Sequence, residues 1–375
     1  MRGVCDAESA AGGDRRRGLR LVADYFYRGP VARRIDAWSR ASGGLIRYED
    51  LARHVTRVEE PATAAYRGLT VAKCGPWTQG PALLEALQIL EGFDLGGMGH
   101  ASADAVHAEV EALKLAFADR DTFYADPLFV DVPTKGLLDR SYAEKRRKLI
   151  DRRSASLELR PGDPLAGKAL LDRPGTPFGS GGPARDTTTC VVADGDGNIV
   201  AATPSGWSGV VAGDTGVWLG SRLQSFNLWP GHPNRIAPGK RPRITLTPTI
   251  VLDRERRPVL ALSVAGGDNQ DQMMLQLVAN HVDFGLSPSD SVLAPRWMSD
   301  HFVGSFRQAP PKLGSLRINP SYGASVLSDL TARGHKLSPA ENSLGAAATA
   351  ISVDPSTRVL RAAGDPRAGR HAGAY

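Results

Sequence analysis

Cysteine is scarce in this chain of 375 residues: Cys5, Cys74 and Cys190 are an odd number, far apart and without CxxC spacing. That excludes a disulfide framework and a sulfur-ligated zinc site. Also lacking is any apolar run of the roughly 18 residues that a membrane-spanning helix needs. Met1 to Arg20 is polar and arginine-rich, without the apolar core of a signal peptide. The chain as encoded is therefore expected to be cytoplasmic. His100, His107, His232 and His281 are scattered without HxxxH spacing, so neither a metal nor an organic cofactor is expected. Aromatic residues make up only 6% and do not interleave with the basic runs Arg15 to Arg17, Lys145 to Lys148 and Arg152 to Arg153. Such runs solvate helix faces, and the net charge of +6 does not point to a nucleic-acid partner.

What is present is an ordinary globular composition, 42% hydrophobic and 23% charged, enough for one large core or two smaller ones. Apolar residues at three-and-four spacing predict helices over Gly18 to Tyr27, Pro30 to Ala41, Pro81 to Leu90 and Asp104 to Phe123. In the last of these, Val106, Val110, Leu113, Leu115 and Phe117 form the expected buried stripe. Gly43-Gly44 and Gly96-Gly97 read as punctuation between helices, and Leu69 to Ala72 as a short strand among them. From Leu157 to Arg185, prolines and the run Gly179 to Pro183 predict an exposed, flexible connection. Beyond it the chain turns strand-rich. Thr187 to Ala193 with Ile199 to Thr203, and Thr247 to Leu252 with Val259 to Val264, read as two hairpins, with Cys190 in the core. Gly266-Gly267-Asp268 leads into a helix from Asn269 to Phe284, for which Asp268 is the expected N-cap. A helix over Ser325 to Arg333 and strands over Ala348 to Val353 and Val359 to Ala363 follow. Together these elements predict an α+β arrangement of an antiparallel sheet sandwich flanked by helices.

The most informative stretch is the junction Asp186-Thr187-Thr188-Thr189-Cys190-Val191-Val192, where the Gly/Pro segment runs into a threonine. A threonine hydroxyl needs a base beside it to act as a nucleophile. Were the preceding peptide bond cut, the freed α-amino group of Thr187, with an ordinary pKa of roughly 7.7 to 8.0, would supply that base. Thr-Thr-Thr before an apolar run is also plain β-propensity, so the pattern alone leaves both readings open.

From Asp186 onward the chain resembles the small subunit of gamma-glutamyltranspeptidases. The matching stretches are DTTTCVVADGDGN (Asp186 to Asn198), PGKRPRITLTPTIV (Pro238 to Val251), AGGDNQDQ (Ala265 to Gln272), HVDFGLSPSDSVLAPR (His281 to Arg296) and AAGDPRAGRHAGAY (Ala362 to Tyr375). Upstream, FYRGPVARRI, GGLIRYEDL, YRGLTV, QGPALLEALQILEGFDL and EALKLAFADRDTFYADP resemble the later part of the large subunit. The resemblance implies the four-layer αββα sandwich of N-terminal nucleophile hydrolases, with residues 1–186 as a mainly helical remnant of the large subunit and residues 187–375 as the small one. It further implies self-cleavage at Asp186-Thr187, pairing of the two pieces, and Thr187 as nucleophile. Ser205 would hydrogen-bond that nucleophile, Thr203 would lie beside it, and the Gly266 and Gly267 N–H groups would hold the oxyanion.

The acyl-binding positions depart from the family pattern. Its acidic position falls on Ser225, a neighbouring amide position on Arg222, its serine pair on Ile244-Thr245 and its asparagine on Trp207. Ser225 lacks the charge that would pair with a substrate ammonium. The chain also begins inside the large-subunit pattern. Three expectations follow. One is gamma-glutamyl transfer to an amine, or hydrolysis by water, as in glutathione metabolism. Another is a cephalosporin-acylase-like amidase that accepts less polar acyl groups, suited by Trp207 and Ile244. The last is a truncated, non-catalytic relative.

Overall fold

The computed structural model describes residues 2–165, 187–206, 208–340 and 344–374. The expected Asp186 half of the scissile bond, most of the Gly/Pro connection and Trp207 lie outside the described residues. The chain gathers into two units, Met1–Glu59 with Gly206–Ser221, and Glu60–Ser205 with Arg222–Tyr375.

The first unit carries helices α1 (Arg2–Ser9), α2 (Arg15–Tyr27), α3 (Pro30–Ala41) and α4 (Tyr48–Ala52). Helix α2 begins where the Asp14 carboxylate accepts from the Arg17 N–H at 3.0 Å, satisfying one of the donors that every helix start leaves open. Helix α3 starts on Pro30, whose fixed φ suits a first helical position.

The second unit holds the site. Its first part supplies β1 (Ala62–Tyr66), β2 (Leu69–Lys73), α5 (Gly80–Leu90), α6 (Leu95–Met98), α7 (Ala103–Phe123), α8 (Thr134–Leu137) and α9 (Arg140–Arg147). After the junction come β3 (Cys190–Ala193), β4 (Ile199–Ala202), β5 (Thr249–Leu252), β6 (Pro258–Ala265), α10 (Asn269–Val282), α11 (Pro288–Leu293), β7 (Trp297–Met298), β8 (Ser315–Ile318), α12 (Ala324–Ala332), β9 (Lys336–Pro339), β10 (Ala347–Val353) and β11 (Leu360–Gly364). The large antiparallel sheet runs β1-β2-β5-β6-β10-β11. Helices α5 and α10 pack on this sheet, α7 packs against them, and the β3–β4 hairpin packs against β6 and β10. Alternation along β6 explains the layering. Leu260, Leu262 and Val264 join Met273, Met274 and Leu277 of α10 in the core, while Ser263 points to the opposite face and bonds the Ala202 carbonyl at 2.7 Å.

Several expectations need correction. Thr187 to Thr189 precede β3 instead of forming its start, and Thr203 lies just past β4. Cys190 is exposed, not core: a two-stranded hairpin covers one face only, and Cys190, Val192 and Val200 fall on the other. Asp268 makes no side-chain cap for α10, because its carboxylate is taken by Arg120 and Ser305. Gly96 and Gly97 lie inside α6 instead of breaking a helix. The strip of α7 is wider than a single stripe, since its polar residues His107, Glu109, Glu111, Lys114, Asp119 and Arg120 are buried too. No helix among the described residues is long and apolar enough to cross a membrane.

Candidate active site

The register of the hairpin builds the centre of the site. Cys190 pairs with Ala202, and continuing that antiparallel register three residues beyond each strand sets Thr187 opposite Ser205. The backbone follows it, with the Thr188 N–H donating to the Pro204 carbonyl at 3.0 Å. The two hydroxyl oxygens, Thr187 Oγ1 and Ser205 Oγ, are 2.9 Å apart. Arg222, at the head of a 3-10 turn, donates from Nη2 to the same Ser205 Oγ at 2.6 Å. Its guanidinium lies over the Phe306 ring, 5.5 Å from the centroid.

Phe306 also lies against the Gly266-Gly267 turn between β6 and α10. Gly266 has φ +150° and Gly267 φ +59°, backbone that glycine adopts without penalty. A Cβ at Gly266 would lie 2.5 Å from the Gly345 carbonyl oxygen, and one at Gly267 would lie 3.0 Å from Phe306 Cε2. Among the described residues the Gly267 N–H has no acceptor. The turn is held from below by Arg120, whose Nη1 donates to Asp268 Oδ1 at 2.7 Å and to Gln79 Oε1 at 3.0 Å. Gln79 Nε2 in turn reaches the Gly267 carbonyl at 3.4 Å. Deeper still, Lys73 and Asp271 form a fully buried ion pair at 2.8 Å. Burial raises the Asp271 carboxyl to about 6, with the Lys73 ammonium pulling the other way.

The structure thus connects Thr187, Ser205 and Arg222 directly, and Gly267 through Phe306. Thr203 is buried one hydrogen bond away from β6, its Oγ1 2.8 Å from Ser263 Oγ. Ser225 and Thr245 are buried, and neither side-chain hydroxyl has a partner among the described residues. Neither is bonded to the Thr187–Ser205 pair. Two supporting residues escaped the sequence reading. Arg370 donates from Nε to Thr189 Oγ1 at 3.1 Å and from Nη2 to the Thr187 carbonyl at 3.4 Å. Phe306 had no signal in the sequence, since it reaches the site only through a loop. Arg370 stood inside the recognised C-terminal stretch, which was the available signal.

One donor cluster lies elsewhere: ligand atoms of His107, Glu111 and His335 fall within 4.8 Å of one another. His107 and Glu111 stand four apart on α7, a spacing that sequence reading could have used. The surroundings do not suit a cation, because Lys114 pairs with the Glu111 carboxylate at 2.5 Å and Arg160 at 3.2 Å. His107 Nδ1 and His335 Nε2 hydrogen-bond each other at 2.8 Å instead.

The sequence profile of the gamma-glutamyltranspeptidase family matches residues 16–375. The chain belongs to this family. It is 35% identical over 328 residues to the Acylase ACY 1 proenzyme of a Pseudomonas species, a match that covers 85% of this chain and 53% of that protein. It is 33% identical over 365 residues to the glutathione hydrolase proenzyme of Escherichia coli, covering 92% of this chain and 57% of that one. Among solved structures it is similar to a cephalosporin acylase from Bacillus halodurans, with a TM-score of 0.81 and 30% identity over 96% of this chain and 61% of that one. The chain therefore spans little more than half the length of the curated relatives it matches, and it shares the N-terminal nucleophile hydrolase fold of this family.

Proposed function

We propose that this chain cleaves itself between Asp186 and Thr187 and then catalyses acyl transfer from an amide through an acyl-enzyme on Thr187. The observation that carries the reading is the 2.9 Å approach of Thr187 Oγ1 to Ser205 Oγ at the start of the segment that a proenzyme family cuts. In catalysis Thr187 Oγ1 attacks the amide carbonyl while its proton passes to the Thr187 α-amino nitrogen. The carbonyl electron pair moves onto oxygen, where the Gly266 and Gly267 N–H groups receive it. Collapse of this intermediate breaks the C–N bond, and the ammonium returns the proton to the leaving amine. Water or a second amine then attacks the ester by the same steps in reverse. No cofactor takes part in this scheme.

The acyl group is gamma-glutamyl or a related acyl amide. A second reading, an acylase-type amidase, is favoured by Ser225: it is buried and uncharged at the position where the family pattern has its acid. Thr203, Thr245, Arg222 and Trp207 complete the proposed acyl-binding set, and the two pieces stay together as one unit after cleavage. Intact-mass measurement of the wild type and of Thr187→Ala after incubation near neutral pH tests the cleavage. Two fragments parting at Asp186-Thr187 in the wild type alone support the proposal, and a single uncut chain in both refutes it. A panel of gamma-glutamyl and apolar acyl anilides separates the two substrate readings.

A further inference from the structure

We infer that Arg222 is a positioning residue that acts through Ser205 to polarise the Thr187 hydroxyl. The inference rests on Thr187 being the nucleophile and adds a direction to its hydrogen bonding. A guanidinium only donates. The 2.6 Å contact from Arg222 Nη2 therefore makes Ser205 Oγ an acceptor of a charge-assisted bond. Accepting from a cation draws electron density from the Ser205 oxygen, which makes its own O–H a stronger donor, and Thr187 Oγ1 stands 2.9 Å away to receive it. The relay assigns the order of donation as Arg222 to Ser205 to Thr187, the direction that the cation on Ser205 favours.

Two consequences follow for the reacting atom. With its lone pair engaged by Ser205, Thr187 Oγ1 keeps its own proton directed elsewhere, toward the base that must take it. When that proton leaves, the negative charge on Oγ1 is met by the Ser205 O–H, which a positive charge already supports. The Phe306 ring covers one face of the guanidinium and so limits water access, which strengthens the electrostatic coupling. Neither a serine at 205 without the cation nor the cation without the serine would do this, so the two side chains form one device.

Self-cleavage supplies a readout that needs no external substrate, because it uses the same Oγ1. The rate of fragment formation is followed by intact mass for the wild type, Arg222→Gln, Arg222→Lys, Ser205→Ala and the double variant Ser205→Ala with Arg222→Gln. Thermal melting of each checks that it folds. We expect Arg222→Gln to slow cleavage by about 10- to 100-fold, less than loss of a direct oxyanion donor. Arg222→Lys, which keeps a charged donor, should recover most of that loss. The double variant should be no slower than Ser205→Ala alone, the signature of residues acting as one unit. Multiplying losses in the double variant, or a lysine variant as slow as the glutamine one, would overturn the relay. Absence of cleavage in the wild type, or its persistence in Thr187→Ala, would instead overturn the nucleophile assignment and the relay with it.

Discussion

Arg120, fully buried on α7, bonds both the Asp268 carboxylate and the Gln79 side-chain oxygen, and through these two it fixes the Gly266-Gly267 turn from beneath. Its Nη2 also donates to the Val303 carbonyl at 2.9 Å, and it pairs with Asp121 at 2.8 Å. A helix of the first half of the chain thereby anchors the proposed oxyanion site of the second half. Under the proposed cleavage, contacts of this kind would hold the two halves together without a covalent link.

Replacing Arg120 by leucine leaves Asp121 and Asp268 without their shared buried cation. Breaking a buried ion pair in this way costs about 3–5 kcal/mol. The variant is expected to unfold at markedly lower denaturant concentration than the wild type, with an unchanged slope, in a urea titration followed by fluorescence. Asp268→Asn keeps the shape and part of the hydrogen bonding, so it should lose less stability while still loosening the turn.

The turn itself makes a second prediction. Gly267 sits at φ +59°, where a side chain costs roughly 1–2 kcal/mol, and its added methyl would press on Phe306 at 3.0 Å. Gly266→Ala is worse, because the methyl meets the backbone carbonyl of Gly345 at 2.5 Å, which cannot swing aside like a side chain. Both variants are expected to slow self-cleavage, Gly266→Ala more than Gly267→Ala, with the order read from fragment formation over time.

How much of this was legible beforehand follows from the range of each interaction. Helices α3, α5 and α7 were visible because the three-and-four spacing of their apolar residues is a local pattern. Strand β1 and the small β7-β8-β9 sheet were missed, since Ala62–Tyr66 has little β-branched character and β7 has only two residues. The exposed side of Cys190 could not be read either: an apolar run in a hairpin does not say whether the second face is covered. Thr187 and Ser205 came together in the reading through family resemblance, although the hairpin register from Cys190–Ala202 leads to the same pair. The Arg222–Ser205 bond was invisible, because it joins a hairpin end to a turn whose path no local pattern fixes.

Thiol chemistry checks the corrected placement of Cys190. Cys5 and Cys190 are exposed and Cys74 is only partly so. Titration with Ellman's reagent in native buffer should show two fast thiols and one slow one, and Cys190→Ser should remove one fast phase. A Cys190 that reacts only after denaturation would contradict the exposed hairpin face.

The buried His107–His335 pair gives the pH dependence. Burial lowers both from their ordinary value, His335 to about 3, whereas an unfolded histidine titrates near 6.5. Above that pH both states are neutral and the pair adds no slope. As pH falls below about 6.5 the unfolded chain takes up protons that the folded one refuses, so stability declines by up to about 1.4 kcal/mol per pH unit for each histidine. Glu109 works in the opposite direction: burial raises its acid to about 8, so the folded state holds a proton that the unfolded state loses and stability grows as pH falls through that window. The histidine contribution is therefore read as a difference. The gap in melting temperature between the wild type and His335→Gln should shift against the wild type on going from pH 7.5 to pH 5, because only the wild type has a His335 that the unfolded chain protonates in that interval while the folded chain keeps it neutral. A gap that stays constant across the range would mean that His335 is protonated to the same extent in the folded and unfolded chains.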